Sequence, residues 1–304
     1  MKKIKYLLLF LIFLLAGCQT STLETTLTGD PLDVNKEQIY YNPIEKKLVK
    51  FNPNGNTHEI INDDPSSFAY DINNADNYFI VGDSINHKFK LIEITKDGIE
   101  TTFEFESNEE LIPLGYNADD IYFVHSFYKN GVEEKEKRTI SLINLSTNNV
   151  SDIESVKGLI SNGVVSPENI YYTVFNNENN YHELYKKSIE LGKKSDPPEL
   201  ISVGYETDEL YLSKDLLDEK EYISLYATDK DRIYSKEESW PKFEENYFRP
   251  TTMIGIEKSD NGLMEITFID KRTREISNEV RNVVGIRFEG DTIVIATTSG
   301  ASKY

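Results

Sequence analysis

The sequence predicts an all-β fold of short antiparallel strands, and three observations carry this prediction. Of the 304 residues 12% are aromatic, and the 19 Tyr and 15 Phe far outnumber the single Trp, a bias that favours strands. Apolar and polar residues alternate over residues 89–94, 140–145 and 264–269, and each stretch ends at a turn rich in Asn, Asp, Gly or Thr, as in β-hairpins. One local pattern also recurs along the chain.

The recurring pattern is an acidic residue, one polar residue and a short apolar, Tyr-rich strand. Its first strand residues are Ile39, Tyr78, Ile121, Ile170, Leu210 and Ile293. The spacing is about 42 residues, the last interval being about twice that, so a degenerate copy is expected at 252–256. This period suits a four-stranded antiparallel blade that packs its faces on its neighbours. The sequence therefore predicts a β-propeller of about six blades over residues 37–304, with seven blades as the alternative.

The segments that precede the pattern also repeat, which indicates that the copies of the pattern occupy equivalent positions in the fold. Residues 111–116 precede Ile121 by the same offset as residues 200–205 precede Leu210. Ile121, Ile170, Leu210 and Ile293 are thus expected to be buried at equivalent places in successive blades. The unit resembles the degenerate blades of TolB-like extracytoplasmic propellers, although it carries neither a diagnostic Trp-Asp dipeptide nor a kelch double glycine. A non-circular stack or sandwich of meanders is the alternative.

The N-terminus has the form of a secretory signal. Three lysines precede a ten-residue apolar run, and Leu15, Ala16 and Gly17 lead to Cys18, the one cysteine of the chain. This order of basic, apolar and small residues is typical of a cleaved signal. Leu-Ala-Gly-Cys resembles the lipobox of bacterial lipoproteins. The resemblance implies that residues 1–17 are removed and that Cys18 carries diacylglycerol; a plain signal peptide is the alternative.

Charge and composition limit the partners. Residues 18–36 are Thr-rich and predict a flexible tether between the lipid and the domain. The chain has 33 basic and 52 acidic side chains, and loss of the three leader lysines leaves a net charge of −22. Nucleic acid is excluded as a partner, because phosphate binding needs clustered cations. We expect a membrane-anchored, extracytoplasmic protein whose partner is an envelope protein or a neutral glycan.

The motifs of common enzymes are not found in the sequence. It has no nucleophile elbow, no phosphate-binding loop and no pair of histidines with metal-ligand spacing, so we assign no catalytic residue, metal ligand or cofactor. The turns at 52–56 and 259–262 offer oxygen ligands for calcium but do not match an EF-hand. The acidic pairs Asp63–Asp64, Asp119–Asp120 and Asp229 with Asp231 keep open a rival function, an envelope glycan hydrolase or lyase with carboxylates at the propeller mouth.

Residues 230–250 depart from the repeat. The stretch contains Trp240, Tyr247 and Phe248 among glutamates. Either its aromatic residues fill the core of an irregular blade edge, or it forms a loop that presents these three residues to a partner, since Trp and Tyr are enriched in binding hot spots. The predicted function is a lipid-anchored binding or scaffolding module of the bacterial cell envelope.

Overall fold

The protein consists of β-strands and turns. The computed structural model describes residues 30–31, 38–52, 57–60, 64–72, 75, 77–83, 85–86, 88–95, 98–105, 108–129, 132–134, 138–176, 178, 180–190, 196–205, 209–217, 220–229, 239–290 and 292–304. No residue in these ranges is helical, and accordingly none of them belongs to a helix that could cross a membrane.

The strands are mostly four to ten residues long, as short antiparallel hairpins require. In chain order they are β1 (Asp30–Pro31), β2 (Gln38–Asn42), β3 (Lys47–Asn52), β4 (Thr57–Ile60), β5 (Ser67–Asp71), β6 (Tyr78–Asp83), β7 (Lys88–Thr95), β8 (Gly98–Glu104), β9 (Glu109–Asn117), β10 (Asp120–Lys129), β11 (Val132–Glu133), β12 (Thr139–Asn144), β13 (Asn149–Ser155), β14 (Leu159–Val165), β15 (Asn169–Asn176), β16 (Tyr181–Ser188), β17 (Glu199–Tyr205), β18 (Glu209–Leu217), β19 (Lys220–Asp229), β20 (Ser239–Pro241), β21 (Glu245–Phe248), β22 (Thr252–Lys258), β23 (Met264–Asp270), β24 (Ile276–Glu289), β25 (Thr292–Thr297) and β26 (Gly300–Lys303).

Hydrogen-bond pairing divides these strands into units that follow one another along the chain. Four sheets are single units, and the ten-stranded sheet divides into three, so the described strands form seven. We number them unit 1 (β2–β4), unit 2 (β5–β8), unit 3 (β9–β13), unit 4 (β14–β17), unit 5 (β18–β20), unit 6 (β21–β23 with the first half of β24) and unit 7 (the second half of β24, β25, β26 and β1). Pairing is antiparallel except between β19 and β20, which run parallel.

Strand β24 belongs to two units. Its first half pairs with β23 and its second half with β25, with a register shift between Val283 and Gly285. One bridge, Tyr41 to Ile286, also links β24 to β2. A Cβ atom on Gly285 would lie 2.7 Å from the Cβ atom of Tyr40, so the close approach of these strands requires glycine.

The core lies between the units. Each of the seven buried clusters among the described residues joins two consecutive units, and the last joins unit 7 to unit 1 through Val294 and Tyr40. Their members include Tyr41 with Phe79, Leu91 with Phe123, Leu114 with Val165, Val164 with Leu212, Tyr226 with Met253 and Ile256 with Ile286. Since each unit buries its faces on both neighbours, the contacts form a closed cycle.

The repeat prediction is confirmed in part. Ile121, Ile170 and Ile293 each stand second in the second strand of a unit, at 0%, 0% and 3% exposure. The degenerate copy near residue 252 is β22, the second strand of unit 6. Leu210, by contrast, lies on β18, the first strand of unit 5, so its predicted equivalence is wrong.

The error arises from the flanking segments. Residues 111–116 lie on β9, the first strand of unit 3, whereas residues 200–205 lie on β17, the last strand of unit 4. An alternating pattern with the same offset does not distinguish the first strand of a unit from the last, because both can bury one face.

Strand β1 pairs with the last strand, β26, in unit 7. Asp30 and Pro31, within the segment predicted as tether, pair with Lys303 and Ser302 of β26. Leu15, Ala16, Gly17 and Cys18 lie outside the described residues, and their predicted roles stay predictions.

Candidate functional site

The first strands of the units converge on a cavity. We call it the central cavity; its volume is about 190 Å³. It is lined by Asp71, Ile112, Pro113, Leu114, Ile160, Asn162, Gly163, Tyr211, Leu212, Asn246, Tyr247, Phe248 and Arg249. These residues come from β5, β9, β14, β18 and β21, or directly follow β21.

A second, smaller cavity adjoins it. Its volume of about 20 Å³ is enough for one water molecule. It is lined by Tyr41, Asp71, Ile72, Ala75, Tyr78, Phe79, Arg249, Ile286, Arg287 and Phe288. Asp71 and Arg249 line both cavities, and the residues that line the two cavities come from all seven units.

Asp71 is an enclosed carboxylate with few partners. The Tyr247 hydroxyl donates to its Oδ1 atom at 3.4 Å, which is long for a hydrogen bond between oxygens. The ion pairs among the described residues do not include Asp71. Asp71 is among the residues that line both cavities. Burial raises the pKa of Asp71, and the nearby charge of Arg249 partly opposes that shift.

Arg249 is held against an aromatic ring. Its Cζ atom lies 3.8 Å from the centre of the Phe288 ring, and its backbone N–H donates to Thr252 O at 2.8 Å. Guanidinium groups stack on aromatic faces in this way. The position of the positive charge is therefore fixed from both the main chain and the side chain.

Two tyrosines, Tyr41 and Tyr247, line these cavities together with Asp71 and Arg249. Tyr41 donates its hydroxyl hydrogen to Ala69 O at 2.9 Å. Burial raises the pKa of both Tyr41 and Tyr247 well above the ordinary value, and the charge of Asp71 adds to each shift. Both side chains are therefore neutral hydroxyls at physiological pH, able to donate and to accept.

Amide side chains complete the polar wall. Asn162 Oδ1 accepts from Leu212 N at 3.2 Å, across the contact between units 4 and 5. Asn246 Nδ2 donates to Phe243 O at 3.2 Å and to the Tyr211 hydroxyl at 3.4 Å. The remaining wall is apolar, so the cavity can hold a small molecule that combines polar and apolar groups.

The structure places the three predicted contact residues differently. Tyr247 and Phe248 line the central cavity and are half-buried, and contact with a partner through them stays a prediction. Trp240 is only 3% exposed and packs with Met253 and Ile269. The prediction that Trp240 protrudes toward a partner is therefore wrong. Its indole fills the contact between units 5 and 6, in agreement with the alternative interpretation that the aromatic residues of this stretch fill the core.

The Trp240 cluster is continuous with the cavity wall. The Phe248 ring stacks on Tyr226 with centres 4.5 Å apart and meets Trp240 edge-on at 5.9 Å. Lys271 Nζ lies 4.4 Å from the centre of the Tyr226 ring and Arg274 Cζ lies 4.9 Å from that of Trp240. One face of Phe248 is thus occupied by protein.

The other sequence candidates have local structural roles. Asp64 accepts from Ser66 in a turn, which lowers the Asp64 pKa, and Asp120 accepts from Asn144 Nδ2 at 2.7 Å. Asp229 ends β19; Asp63 and Asp231 lie outside the described residues. His182 is buried, and desolvation lowers its pKa.

The turn at 259–262 uses its oxygens internally. Asn261 Oδ1 accepts from Leu263 N at 2.9 Å and from Ser259 Oγ at 2.5 Å, while residues 53–56 of the other turn lie outside the described ranges. Within those ranges, no three His, Cys, Asp or Glu side chains form a group that could hold a metal ion.

Comparisons with known proteins give weak similarities. No protein-family model matches the chain, and no curated protein sequence matches it. A puromycin hydrolase structure is similar at 10% identity and a TM-score of 0.47, over 85% of this chain and 48% of that one. TolB from Acinetobacter baumannii is similar at 12% identity and a TM-score of 0.38, over 91% of this chain and 66% of that one. An oligogalacturonate lyase from Vibrio parahaemolyticus is similar at 12% identity and a TM-score of 0.38, over 88% of this chain and 73% of that one.

The chain spans about half the length of the puromycin hydrolases that it matches.

The sequence analysis did not identify Asp71 and Arg249 as candidate site residues. Asp71 and Arg249 stand 178 positions apart in the sequence; Asp71 ends β5 and Arg249 directly follows β21. The sequence did contain a useful signal: each is a charged residue at, or directly after, the end of the first strand of a unit.

Proposed function

We propose that this chain is a lipid-anchored, extracytoplasmic binding module built as a seven-bladed β-propeller. The seven strand units and the closed cycle of buried clusters support seven blades. In such a ring the first strand of each blade faces the axis, and the central cavity is then the axial site.

The observation that carries binding is the central cavity with Asp71 in its wall. A carboxylate that is enclosed yet opens to a cavity, with one long hydrogen bond from a side chain, is available for a ligand that donates hydrogen bonds. An enzyme that uses paired carboxylates needs at least two of them on the cavity. Asp71 is the one acidic residue among the described residues that line it, which favours binding over glycan cleavage.

The test is a thermal-shift screen of the full chain purified in detergent. The compounds are neutral sugars, amino acids, amines and carboxylic acids. We expect at least one class to raise the melting temperature of the wild type and to do so less for Asp71→Asn. The matched control is Glu275→Gln, which removes one negative charge at an exposed position outside the cavity. Shifts that are equal in all three proteins would contradict a cavity site.

We propose membrane attachment through diacylglycerol on Cys18. The support is the Leu15-Ala16-Gly17-Cys18 sequence behind a short apolar run. Metabolic labelling with a fatty acid should mark the wild type and not Cys18→Ala, and the variant should leave the membrane fraction. An unmodified N-terminus found elsewhere by mass spectrometry would contradict the proposal. An envelope protein or a neutral glycan as partner also stays a proposal, favoured over anionic polymers by the −22 charge.

A further inference from the structure

We propose that one side of units 6 and 7 docks on the membrane surface, with the turn at residues 271–274 against anionic lipid headgroups. We call this turn the cationic turn, since Lys271, Arg272 and Arg274 are three of its four residues. The inference rests on the proposed lipid anchor at Cys18, because that anchor brings the domain to the membrane. It adds which side of the domain faces the lipid.

Hydrogen bonds define one side of units 6 and 7. The side chain of Asn261, in the turn between β22 and β23, donates to Asn282 Oδ1 at 2.9 Å. Thr298, in the turn between β25 and β26, donates its backbone N–H to Asn282 O at 3.1 Å. These two turns therefore lie together, and we call this the Asn282 side. Because antiparallel strands reverse direction at each turn, the turns at the other ends of the same strands lie on the opposite side.

The cationic turn lies on the opposite side, next to the place where the chain enters unit 7. The Phe268 ring, near the end of β23 that leads into the cationic turn, stacks on the Tyr304 ring with centres 5.6 Å apart. Tyr304 directly follows Lys303 of β26, which is paired with Asp30 of β1. The cationic turn and the point where the predicted tether reaches β1 therefore lie on the same side.

The stretch between the lipid and β1 limits the distance of the domain from the membrane. Residues 18–29 are 12 residues, and a flexible linker of that length spans about 20 Å on average. Since this linker ends at Asp30, the side with the cationic turn is held within about that distance of the membrane. To place the Asn282 side on the lipid, the same linker would have to pass around the domain.

The charge of the cationic turn suits an anionic surface. Residues 270–275 contain three cations and two carboxylates, in a chain whose net charge is −19. Asp270 Oδ1 accepts from the backbone N–H of Arg272 at 2.9 Å, so this carboxylate is directed into the turn, whereas the Arg272 side chain is exposed. By contrast, the turn at 259–262 on the Asn282 side contains Asp260 and no cation.

Aromatic rings hold two of the cations in place. Lys271 Nζ lies 4.4 Å from the centre of the Tyr226 ring, and Arg274 Cζ lies 4.9 Å from that of Trp240. A cation over an aromatic ring keeps its full charge, because the ring is neutral. The positive charges on either side of Arg272 are therefore positioned by the fold before a headgroup approaches.

The net negative charge of the chain does not prevent this contact. Salt screens exposed charges beyond about 8–10 Å, so the charges nearest to the membrane decide which side approaches it. Attachment through the lipid keeps the domain close, and a weak local contact then forms at a high effective concentration. Each basic residue near an anionic lipid surface adds to the attraction.

The experiment measures which side faces the lipid. The full lipidated chain is reconstituted in vesicles of phosphatidylcholine with phosphatidylglycerol, with an energy-transfer acceptor on some of the headgroups. A donor dye is attached to Thr273→Cys in the cationic turn or to Asp260→Cys on the Asn282 side, both at exposed positions. The wild type, whose one cysteine carries the lipid, should take up no dye.

We expect energy transfer from position 273 to be at least twice that from position 260 in the mixed vesicles. The difference should fall by at least half in phosphatidylcholine alone, which has no net charge. It should fall in the same way in about 1 M NaCl, where the Debye length is about 3 Å.

Charge reversal assigns the effect to the cationic turn. Arg272→Glu should lower the transfer from position 273 in the mixed vesicles at least twofold. The matched control is Lys258→Glu, which reverses an exposed cation next to the turn at 259–262. Lys258 Nζ lies 3.1 Å from Glu45 Oε1, on the Asn282 side, and its reversal should leave the transfer unchanged.

The possible failures are distinguishable. Equal transfer from the two positions, or a preference for position 273 that is the same in phosphatidylcholine alone, would overturn the docking surface and leave the anchor intact. Equal losses in Arg272→Glu and Lys258→Glu would overturn it too, because net charge alone would then act. A wild type that takes up dye at Cys18 and does not float with the vesicles would overturn the anchor, and the docking surface with it.

Discussion

At the scale of single residues, Asp71 should make stability depend on pH. Burial raises its folded-state pKa above the ordinary 3.8, so the native state holds this proton more tightly than the unfolded chain does. The stabilisation from protonation is complete below 3.8 and is lost as the pH rises through the folded pKa. Asp71→Asn removes this dependence, because its amide stays neutral. We expect the variant to be more stable than the wild type at pH 7, and the two urea-unfolding curves to converge near pH 3. A wild type that is more stable at neutral pH would contradict the burial cost.

Trp240 is buried, although the sequence around it is rich in charged residues. At 3% exposure it contacts both Tyr226 and Phe248 edge-on. Truncation leaves a cavity between units 5 and 6, and Trp240→Ala should lower the free energy of unfolding by about 3–5 kcal/mol. Urea unfolding of the variant measures this loss. A change below about 1 kcal/mol, with a loss of partner capture, would instead restore the contact role.

At the scale of elements, the contact between units 3 and 4 contains a buried ion pair. Lys187 Nζ on β16 lies 2.7 Å from Glu154 Oε2 on β13, with side chains 2% and 22% exposed, and it also donates to Asp196 O. Glu154→Gln leaves the buried ammonium without its counter-charge and should cost about 3 kcal/mol or more. The adjacent pair Lys186–Glu199 is the matched control: at 3.9 Å and with side chains 36% and 70% exposed, its loss in Glu199→Gln should cost at most about 1 kcal/mol. Equal losses in urea unfolding would show that burial does not decide the effect.

Strand β24 should tolerate little change where it passes from unit 6 to unit 7. In Gly285→Ala the new methyl group meets the Cβ atom of Tyr40 at 2.7 Å, and a Cβ atom moves only with its backbone. We expect a loss of about 1–3 kcal/mol in the free energy of unfolding. In the control, Gly163→Ala, the nearest atom is the Leu114 Cδ2 atom at 2.6 Å, which can rotate away, so the loss should be smaller. The reverse order of the two would contradict this packing.

The elements show why much of the fold follows from sequence and the site does not. Alternation and turn residues locate the second strands, so Ile121, Ile170 and the copy at β22 are found correctly. The same local signals do not give the phase of a strand within its unit, as Leu210 shows. Asp71 and Arg249 become neighbours only when units 2 and 6 take their places around the cavity, and no pattern within one unit encodes that distance.

At the scale of the whole molecule, the charge and the core have separate roles. The chain has a net charge of −19, and salt screens the interactions of exposed charges beyond about 8–10 Å. The buried clusters between units are apolar. Since each cluster joins only neighbouring units, stability should depend on completing the cycle of contacts.

The closure of that cycle through β1 is open to a direct test. Pro31 lies opposite Ser302 in the antiparallel pair of β1 and β26, where Cα atoms are about 4.5–5.5 Å apart, within disulfide range. In a Cys18→Ala background, which removes the one native thiol, Pro31→Cys with Ser302→Cys should form a disulfide on oxidation. Linking the two ends of so long a segment restricts the unfolded chain and should stabilise the protein by up to about 4–5 kcal/mol. The measurement is urea unfolding of the oxidised and reduced forms, with Ser302→Cys alone as the control. If no crosslink forms, or if oxidised and reduced proteins unfold at the same urea concentration, the N-terminal strand does not close the ring.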